Sequence, residues 1–141
     1  MSAFAWSESY SVRVKQLDAQ HQTLFNTINS LAEAMRQGQG EIVIREVVNK
    51  LAIYTRVHFL QEEVLMQRSD SPQLIAHKAE HSKLMASVED YKCDLDAGKK
   101  PNSIAVLAFL QTWLVEHIRK SDKAYSDHMN AHGIHQADLA R

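Results

Sequence analysis

The apolar residues of this chain recur at steps of three and four, the spacing that lines one face of an α-helix. Glycine, proline and small polar residues interrupt the pattern at residues 38–40, 69–72 and 98–103. These interruptions separate four segments of helical length. The four predicted helices begin near Asp18, Glu41, Pro72 and Ser103.

Local signals support these starting points. Asp18 is a residue type favoured as an N-cap, and proline, here Pro72, is favoured at a first helical position. The first helix is expected to end near Gln37 and the second near Gln67, while the fourth continues toward His128. The end of the fourth helix is the boundary that the pattern defines least.

Short loops between long helices favour antiparallel neighbours. The sequence therefore predicts an all-α protein, with residues 18–128 forming an up-down-up-down antiparallel four-helix bundle. Residues 1–17 are expected to form an N-terminal arm packed across the bundle, and residues 129–141 a polar tail. Residues 1–141 would then make one domain.

Several ionisable side chains lie on the stripes that should face the core, where an unpaired polar group costs several kcal/mol. One buried histidine is commonly satisfied by a hydrogen bond, but five together require another explanation. At about 1.5 Å of rise per residue, these positions and one further aspartate fall at the same depth of the bundle. The seven residues are His21, His58, Glu62, His77, His81, His117 and Asp122.

Asp122 is the member whose geometry is not explained by a regular helix. Five residues turn an ideal α-helix by about 500°, which leaves Asp122 some 140° away from His117. We therefore predict a π-bulge or a late bend in the fourth helix, because π-bulges often occur at functional sites. A regular α-helix over residues 117–122 with Asp122 in solvent would contradict this hypothesis.

Five imidazoles and two carboxylates are too many for one tetrahedral zinc ion, and they suit two transition-metal ions. If both carboxylates bridge the ions and a bridging oxygen is present, three histidines on one ion and two on the other leave one position vacant. Imidazole and carboxylate ligands fit iron, although affinity alone does not exclude manganese, cobalt or zinc.

Composition narrows the classes of partner and location. Sixteen Lys and Arg residues against seventeen Asp and Glu residues give a net charge of −1, so neither nucleic acid nor a membrane surface is expected as a partner. The chain has no long apolar run and no N-terminal signal pattern, so membrane insertion is not expected. Cys93 is the single cysteine, consistent with a reducing, cytoplasmic location.

Five stretches of the sequence together resemble the hemerythrin family, and within it the stand-alone, single-domain bacteriohemerythrins. The resemblance runs from the Trp6 arm to about Tyr125. The stretches are Asp18-Ala19-Gln20-His21, His58-Phe59-Leu60-Gln61-Glu62-Glu63 with Leu65-Met66, His77-Lys78-Ala79-Glu80-His81, Trp113-Leu114-Val115-Glu116-His117-Ile118, and Asp122 with Tyr125.

The resemblance implies a non-haem di-iron centre with a bridging oxo or hydroxo ligand. It implies that His77, His81 and His117 bind the six-coordinate iron and that His21 and His58 bind the five-coordinate iron, which takes up dioxygen. Glu62 and Asp122 would be the bridges. The dioxygen pocket would be lined by Leu24, Phe59, Trp113, Leu114 and Ile118, for which plain core packing is the alternative.

The chain departs from the family pattern at two places that are not ligands. Arg13 stands where the arm usually has a small residue, often glycine, and Ser71 stands where an aromatic residue usually accompanies the proline. The histidines of the C-terminal extension, His128, His132 and His135, are interpreted as tail residues rather than as a second metal site.

The leading function is reversible dioxygen binding for transport, storage or buffering, not enzymatic turnover. The alternatives are sensing of O₂, NO or redox state, a weak di-iron oxidase or peroxidase activity, and plain iron or zinc binding. Signalling modules are commonly fused to output domains, for which 141 residues leave no room. An O₂-consuming enzyme is a possible recipient, and a monomer is expected because no apolar stripe is visible beyond those assigned to the core.

Overall fold

The computed structural model describes residues 4–135, which form helices and contain no strand. The predicted up-down-up-down four-helix bundle is confirmed. Its elements are a short 3₁₀ turn at Glu8–Tyr10, α1 (Lys15–Arg36), α2 (Gly40–Arg68), α3 (Leu74–Asp96), α4 (Ser103–Glu116), a π-helical segment at His117–Asp122, and α5 (Lys123–Ala131). The last three run on without a break and together make the fourth column of the bundle.

The helices bury the faces that the apolar periodicity indicates. α1 packs against α2 and α4, and α2 packs against α3. Each buried aliphatic or aromatic side chain contributes about 1.5–3 kcal/mol relative to exposure. The main core cluster includes Leu24, Phe25, Ile28, Leu31, Ile44, Val47, Leu51, Leu84, Val88, Leu110 and Leu114.

α1 begins three residues before the predicted start, so the assignment of Asp18 as its N-cap is wrong. The N-cap position is Val14, and Asp18 lies in the first turn. Its carboxylate accepts hydrogen bonds from the backbone N–H of Val12 at 2.9 Å and from the Ser11 hydroxyl at 2.6 Å. Asp18 therefore connects the N-terminal arm to α1 through contacts that helix signals alone do not reveal.

Residues 4–14 lie across the bundle as an arm. The ring of Phe4 packs on Phe25 at 4.6 Å between centroids, and Tyr10 packs on the same ring at 5.2 Å. The Asn29 side-chain amide donates to the Phe4 carbonyl at 2.8 Å. Arg13 has a φ of 57°, the left-handed conformation that glycine adopts most easily, at the position where the resemblance led us to expect a small residue.

Two other helix boundaries differ from expectation. Pro72 lies in the turn before α3, which begins at Leu74. At the other end, α5 continues to Ala131, and Met129 is fully buried. The predicted polar tail therefore starts later than residue 129, and residues 136–141 of that tail lie outside the described residues.

α2 also carries apolar side chains on its outer face. Ile53, Val57, Leu60 and Val64 follow steps of four, three and four and are between 40% and 70% exposed. The expectation that no apolar stripe remains outside the core is therefore wrong, and it no longer supports a monomer. No helix within residues 4–135 combines the length and hydropathy that a membrane crossing requires.

The π-helical segment confirms the hypothesis for the fourth helix. The backbone N–H of Lys123 donates to the Ile118 carbonyl, a hydrogen bond across five residues. The wider turn accommodates one extra residue, so that His117 and Asp122 face the core together, with 4% and 1% of their surfaces exposed. A regular α-helix would turn Asp122 away.

Deleting Lys120 should convert this wide turn into an ordinary α-helical turn that still places the aspartate beside His117. Lys120 is exposed, and its ion pair with Glu116 is a surface pair worth little. We expect the free energy of unfolding to stay within about 1 kcal/mol of the parent, as measured by urea denaturation.

Deletion of exposed Thr112 is the matched control. Thr112 lies in the regular α-helix α4, so its removal would rotate Val106 and Leu110 out of the core. That variant should lose more than about 3 kcal/mol. Equal destabilisation by the two deletions would show that the wide turn is not a single-residue insertion.

Candidate metal centre

The seven ionisable residues singled out in the sequence meet in one buried layer between the helices. α1 supplies one of them, α2 and α3 supply two each, and the π-helical segment supplies two. None exposes more than 4% of its surface. They are His21, His58, Glu62, His77, His81, His117 and Asp122.

One half of the layer contains three histidines. The Nε2 atoms of His77 and His81 lie 2.7 and 3.0 Å from Oε1 of Glu62. The Nε2 atoms of His77 and His117 each lie 3.1 Å from Oδ1 of Asp122. These five residues form a group whose ligand atoms all lie within 4.8 Å of one another.

The other half contains two histidines and uses the second oxygen of each carboxylate. Nε2 of His21 lies 3.1 Å from Oδ2 of Asp122 and 3.5 Å from Oε2 of Glu62. Nε2 of His58 lies 3.4 Å from the same glutamate oxygen. Each carboxylate therefore presents one oxygen to each half.

Several atoms that point into the layer lack a hydrogen-bond partner among the described residues. They are Nε2 of His21, His81 and His117 and Oδ1 of Asp122. Although some lie at ion-pair distance from each other, their directions do not suit hydrogen bonds. Buried polar atoms are normally satisfied, so this donor set fits metal ions, and the cluster could hold two.

A second set of hydrogen bonds lies behind the histidines. Nδ1 of His58 is 2.6 Å from the Gln20 side-chain oxygen, and Nδ1 of His81 is 2.7 Å from Oε2 of Glu63. Nδ1 of His117 is 2.9 Å from Oε1 of Glu80. If each Nδ1 carries the proton, Nε2 keeps its lone pair for a metal ion.

A buried tyrosine also supports one of the carboxylates. The Tyr125 hydroxyl donates to Oε2 of Glu62 at 2.7 Å. Burial, and the negative charges of Glu62 and Asp122, raise the pKa of Tyr125 well above its ordinary value. The phenol is therefore kept as a hydrogen-bond donor.

Without metal, the cluster holds protons on some of its histidines. Burial alone would lower the pKa of His21, but Asp122 and Glu62 raise it to about 10. The same balance of burial against the two carboxylates raises the pKa of His77 to about 10. Burial would raise the pKa of Glu62, yet the surrounding histidines hold it well below the ordinary value.

An apolar cavity of about 20 Å³ lies in the bundle near the layer. Leu24, Thr55, Leu84 and Leu114 line it, and each lies three residues from a histidine of the cluster on its own helix. The cavity therefore begins about one helical turn from the cluster. Its volume is sufficient for one small molecule.

The predicted pocket residues divide between this cavity and the walls of the cluster. The cavity lining includes Leu24, Trp113 and Leu114 but not Phe59 or Ile118. The Phe59 ring stacks on His81 with 3.6 Å between centroids, and Trp113 stacks on His117 at 4.4 Å. Ile118 is fully buried in the same core cluster.

The sequence interpretation missed the roles of Gln20, Glu63, Glu80 and Thr55, and it did not assign Tyr125 a partner. Each of the first three is adjacent in sequence to a residue of the cluster, but only their side-chain directions reveal the contacts. Thr55 carried a usable signal, because it is a polar residue on the apolar face of α2, three positions before His58.

The C-terminal histidines lie apart from the cluster. The His128 ring nitrogen Nε2 contacts the Ser69 carbonyl oxygen, and Nδ1 of His132 contacts the His128 carbonyl oxygen at 2.8 Å. The backbone carbonyl of His135 accepts a hydrogen bond from the Lys15 N–H. Among residues 4–135, the groups of three or more potential metal ligands do not include these histidines.

The metal-free protein should lose stability as the pH rises from about 7 to 9. In this range folded His21 and His77 hold protons that the unfolded chain, with histidine pKa values near 6.5, has released. Bound metal displaces those protons, so the apparent affinity for Co²⁺ should instead increase with pH. Urea unfolding in the presence of a chelator measures how the metal-free stability changes with pH. Titration with Co²⁺ over the same pH range measures how the apparent affinity changes. A metal-free stability that rises with pH would contradict the protonated cluster.

Comparison with known sequences identifies the domain type. The profile of the hemerythrin HHE cation binding domain matches residues 12–128. The bacteriohemerythrin of Stenotrophomonas maltophilia (strain R551-3) is 30% identical over 132 residues, covering 94% of this chain and 85% of that protein. The bacteriohemerythrin of Methylococcus capsulatus is 31% identical over 132 residues, covering 93% of this chain and all of that protein.

The fold comparison agrees with the sequence comparison. A wild-type hemerythrin crystal structure matches with a TM-score of 0.82 at 32% identity, covering 91% of this chain and 98% of the other. The matched region includes the helices that supply all seven residues of the cluster. The chain therefore belongs to the hemerythrin family, whose members bind a di-iron centre.

Proposed function

We propose that this protein binds dioxygen reversibly at a di-iron centre and serves in oxygen transport, storage or buffering. The observation that supports it best is the division of the buried cluster into halves with three and two histidines. Both halves include Glu62, and Asp122 directs one oxygen to His77 and His117 and the other to His21. The half with fewer histidines is the one that would leave a coordination position for a small molecule.

In this proposal His77, His81 and His117 hold one iron ion and His21 and His58 hold the other. Glu62 and Asp122 would serve both ions, since each directs one oxygen to each half. The two iron ions would supply the electrons that dioxygen takes up on binding and returns on release. No amino-acid side chain of the cluster offers that chemistry.

The protein's own residues orient the ligands and exclude water. Gln20, Glu63 and Glu80 fix three of the imidazole rings. Phe59 and Trp113 cover the faces of two rings by stacking. The apolar cavity lies about one helical turn from the cluster, and its lining would keep water and protons away from the reactive site.

Binding is favoured over turnover by the chemistry of the ligands. Di-iron sites in ferritin-like bundles use Glu residues and Glu-x-x-His motifs, whereas this cluster contains five histidines and two carboxylates. A nitrogen-rich site disfavours oxidation beyond the diferric state. Transfer of dioxygen to an O₂-consuming enzyme in the cytoplasm is the use that we propose, and sensing or a weak oxidase activity would be alternative outcomes of the test.

Reversible uptake can be measured directly. The metal-free protein is loaded anaerobically with Fe²⁺, the bound metal is quantified, and visible spectra are recorded during cycles of air and argon. We expect two irons per chain and a charge-transfer band that appears in air and disappears under argon. The Glu62→Ala variant, which lacks one shared carboxylate, is expected to hold fewer than two irons.

Other outcomes would favour the alternatives. Two irons that oxidise once and do not return to the reduced state would contradict reversible binding and favour sensing or enzymatic activity. Fewer than two irons in the parent protein would contradict the ligand assignment itself.

A further inference from the structure

The hydrogen bonds behind the two halves of the cluster differ in charge. In the half with three histidines, His81 is backed by the Glu63 carboxylate at 2.7 Å and His117 by the Glu80 carboxylate at 2.9 Å. In the half with two histidines, His58 is backed by the uncharged Gln20 amide at 2.6 Å.

The remaining histidine of the smaller half has no such support. Nδ1 of His21 is buried and has no hydrogen-bond partner among the described residues. Carboxylates therefore back two of the three imidazoles on one side, and none backs either imidazole on the other.

The orientation of Gln20 is fixed by a second amide. The Gln20 side-chain nitrogen donates to the Gln61 side-chain oxygen, which leaves the Gln20 oxygen directed at Nδ1 of His58. Gln61 is uncharged too, so the chain of contacts from His58 outward contains no anion. Glu80, in contrast, is held by a further hydrogen bond from the Ser121 hydroxyl at 2.6 Å.

A carboxylate behind a metal-bound imidazole makes that ligand more basic, and hydrogen bonds to charged partners are about twice as strong as neutral ones. A more basic ligand stabilises the higher oxidation state of its metal ion. Hydrogen bonding around ligands is one of the means by which a protein sets a reduction potential.

We propose that this asymmetry sets unequal reduction potentials for the two iron ions, with Gln20 as a positioning residue that keeps the His21 and His58 ion the harder to oxidise. The proposal rests on the ligand assignment under the proposed function. On this proposal the ion held by His77, His81 and His117 would give up its electron at a lower potential than the ion held by His21 and His58.

The test replaces an amide by a carboxylate behind one half of the cluster, and a carboxylate by an amide behind the other half. Gln20→Glu places a carboxylate behind His58, and Glu63→Gln removes one from behind His81. Gln22→Glu is the control, because Gln22 is an exposed neighbour on α1 that adds the same charge without backing a histidine. Each protein is loaded anaerobically with Fe²⁺ and titrated under argon with redox mediators, to which each ion gives up one electron.

The two one-electron midpoints of the parent protein should be well separated. Gln20→Glu should lower the higher midpoint, and Glu63→Gln should raise the lower one, so both variants narrow the gap while their mean potentials move in opposite directions. At the parent protein's midpoint potential for the affected ion, we expect each substitution to change the ratio of oxidised to reduced iron about tenfold or more. Gln22→Glu should leave the gap unchanged.

If Gln20 and Glu63 had a purely structural role, the two variants would not shift the midpoint potentials in opposite directions. Midpoint shifts of the same sign, or none, in variants that hold two irons would overturn the proposal. If Gln20→Glu does not fold, Glu63→Gln and Glu80→Gln test the same asymmetry from the half with three histidines, because each should raise the lower midpoint.

The titrations are done without dioxygen, so their outcome is independent of oxygen binding. A protein that shows the predicted midpoints but no reversible uptake would contradict the proposed function alone. Fewer than two irons in the parent would overturn both.

Discussion

The burial of five imidazoles and two carboxylates in a single layer is the constraint on which the rest of the structure depends. An isolated buried charge is very costly, so these groups are tolerated only as a set. Without metal, protons on His21 and His77 balance the charges of Glu62 and Asp122. Metal ions would replace those protons and also satisfy the Nε2 atoms of His21, His81 and His117, which lack hydrogen-bond partners among the described residues.

The bundle excludes water from this layer and positions its residues. Apolar layers on α1, α2, α3 and α4 exclude water, and the aromatic rings of Phe59 and Trp113 cover two histidines. The π-helical turn is the one departure from regular helix within the bundle's columns, and it lies where Asp122 must join the cluster. Distortion is confined to the place where the ligand geometry demands it.

Much of this arrangement could be predicted from the sequence because it follows from periodicity. The stripes of apolar residues give the four helices, and residues on those stripes must face inward. The rise per residue along antiparallel helices then places His58 and Glu62 at about the same depth as His77 and His81. The π-helical turn followed from a mismatch of phase between His117 and Asp122. That these seven residues bind metal stays a prediction.

Features that depend on side-chain direction or on contacts between distant residues could not be predicted from periodicity. Asp18 looked like an N-cap, but its carboxylate binds the arm at Val12 and Ser11. The backing of His58 by Gln20 and of His81 by Glu63 depends on ring orientation, which spacing does not fix. The outer stripe of α2 was overlooked because that helix is apolar on two opposite faces.

The most direct test of the central claim is anomalous diffraction from crystals of the iron-loaded protein. Two iron peaks should appear about 3.5–4 Å apart, one beside His77, His81 and His117 and the other beside His21 and His58. Glu62 and Asp122 should each contact both peaks. A single peak, or two peaks of which only one contacts Asp122, would contradict the claim that both carboxylates are shared between two ions.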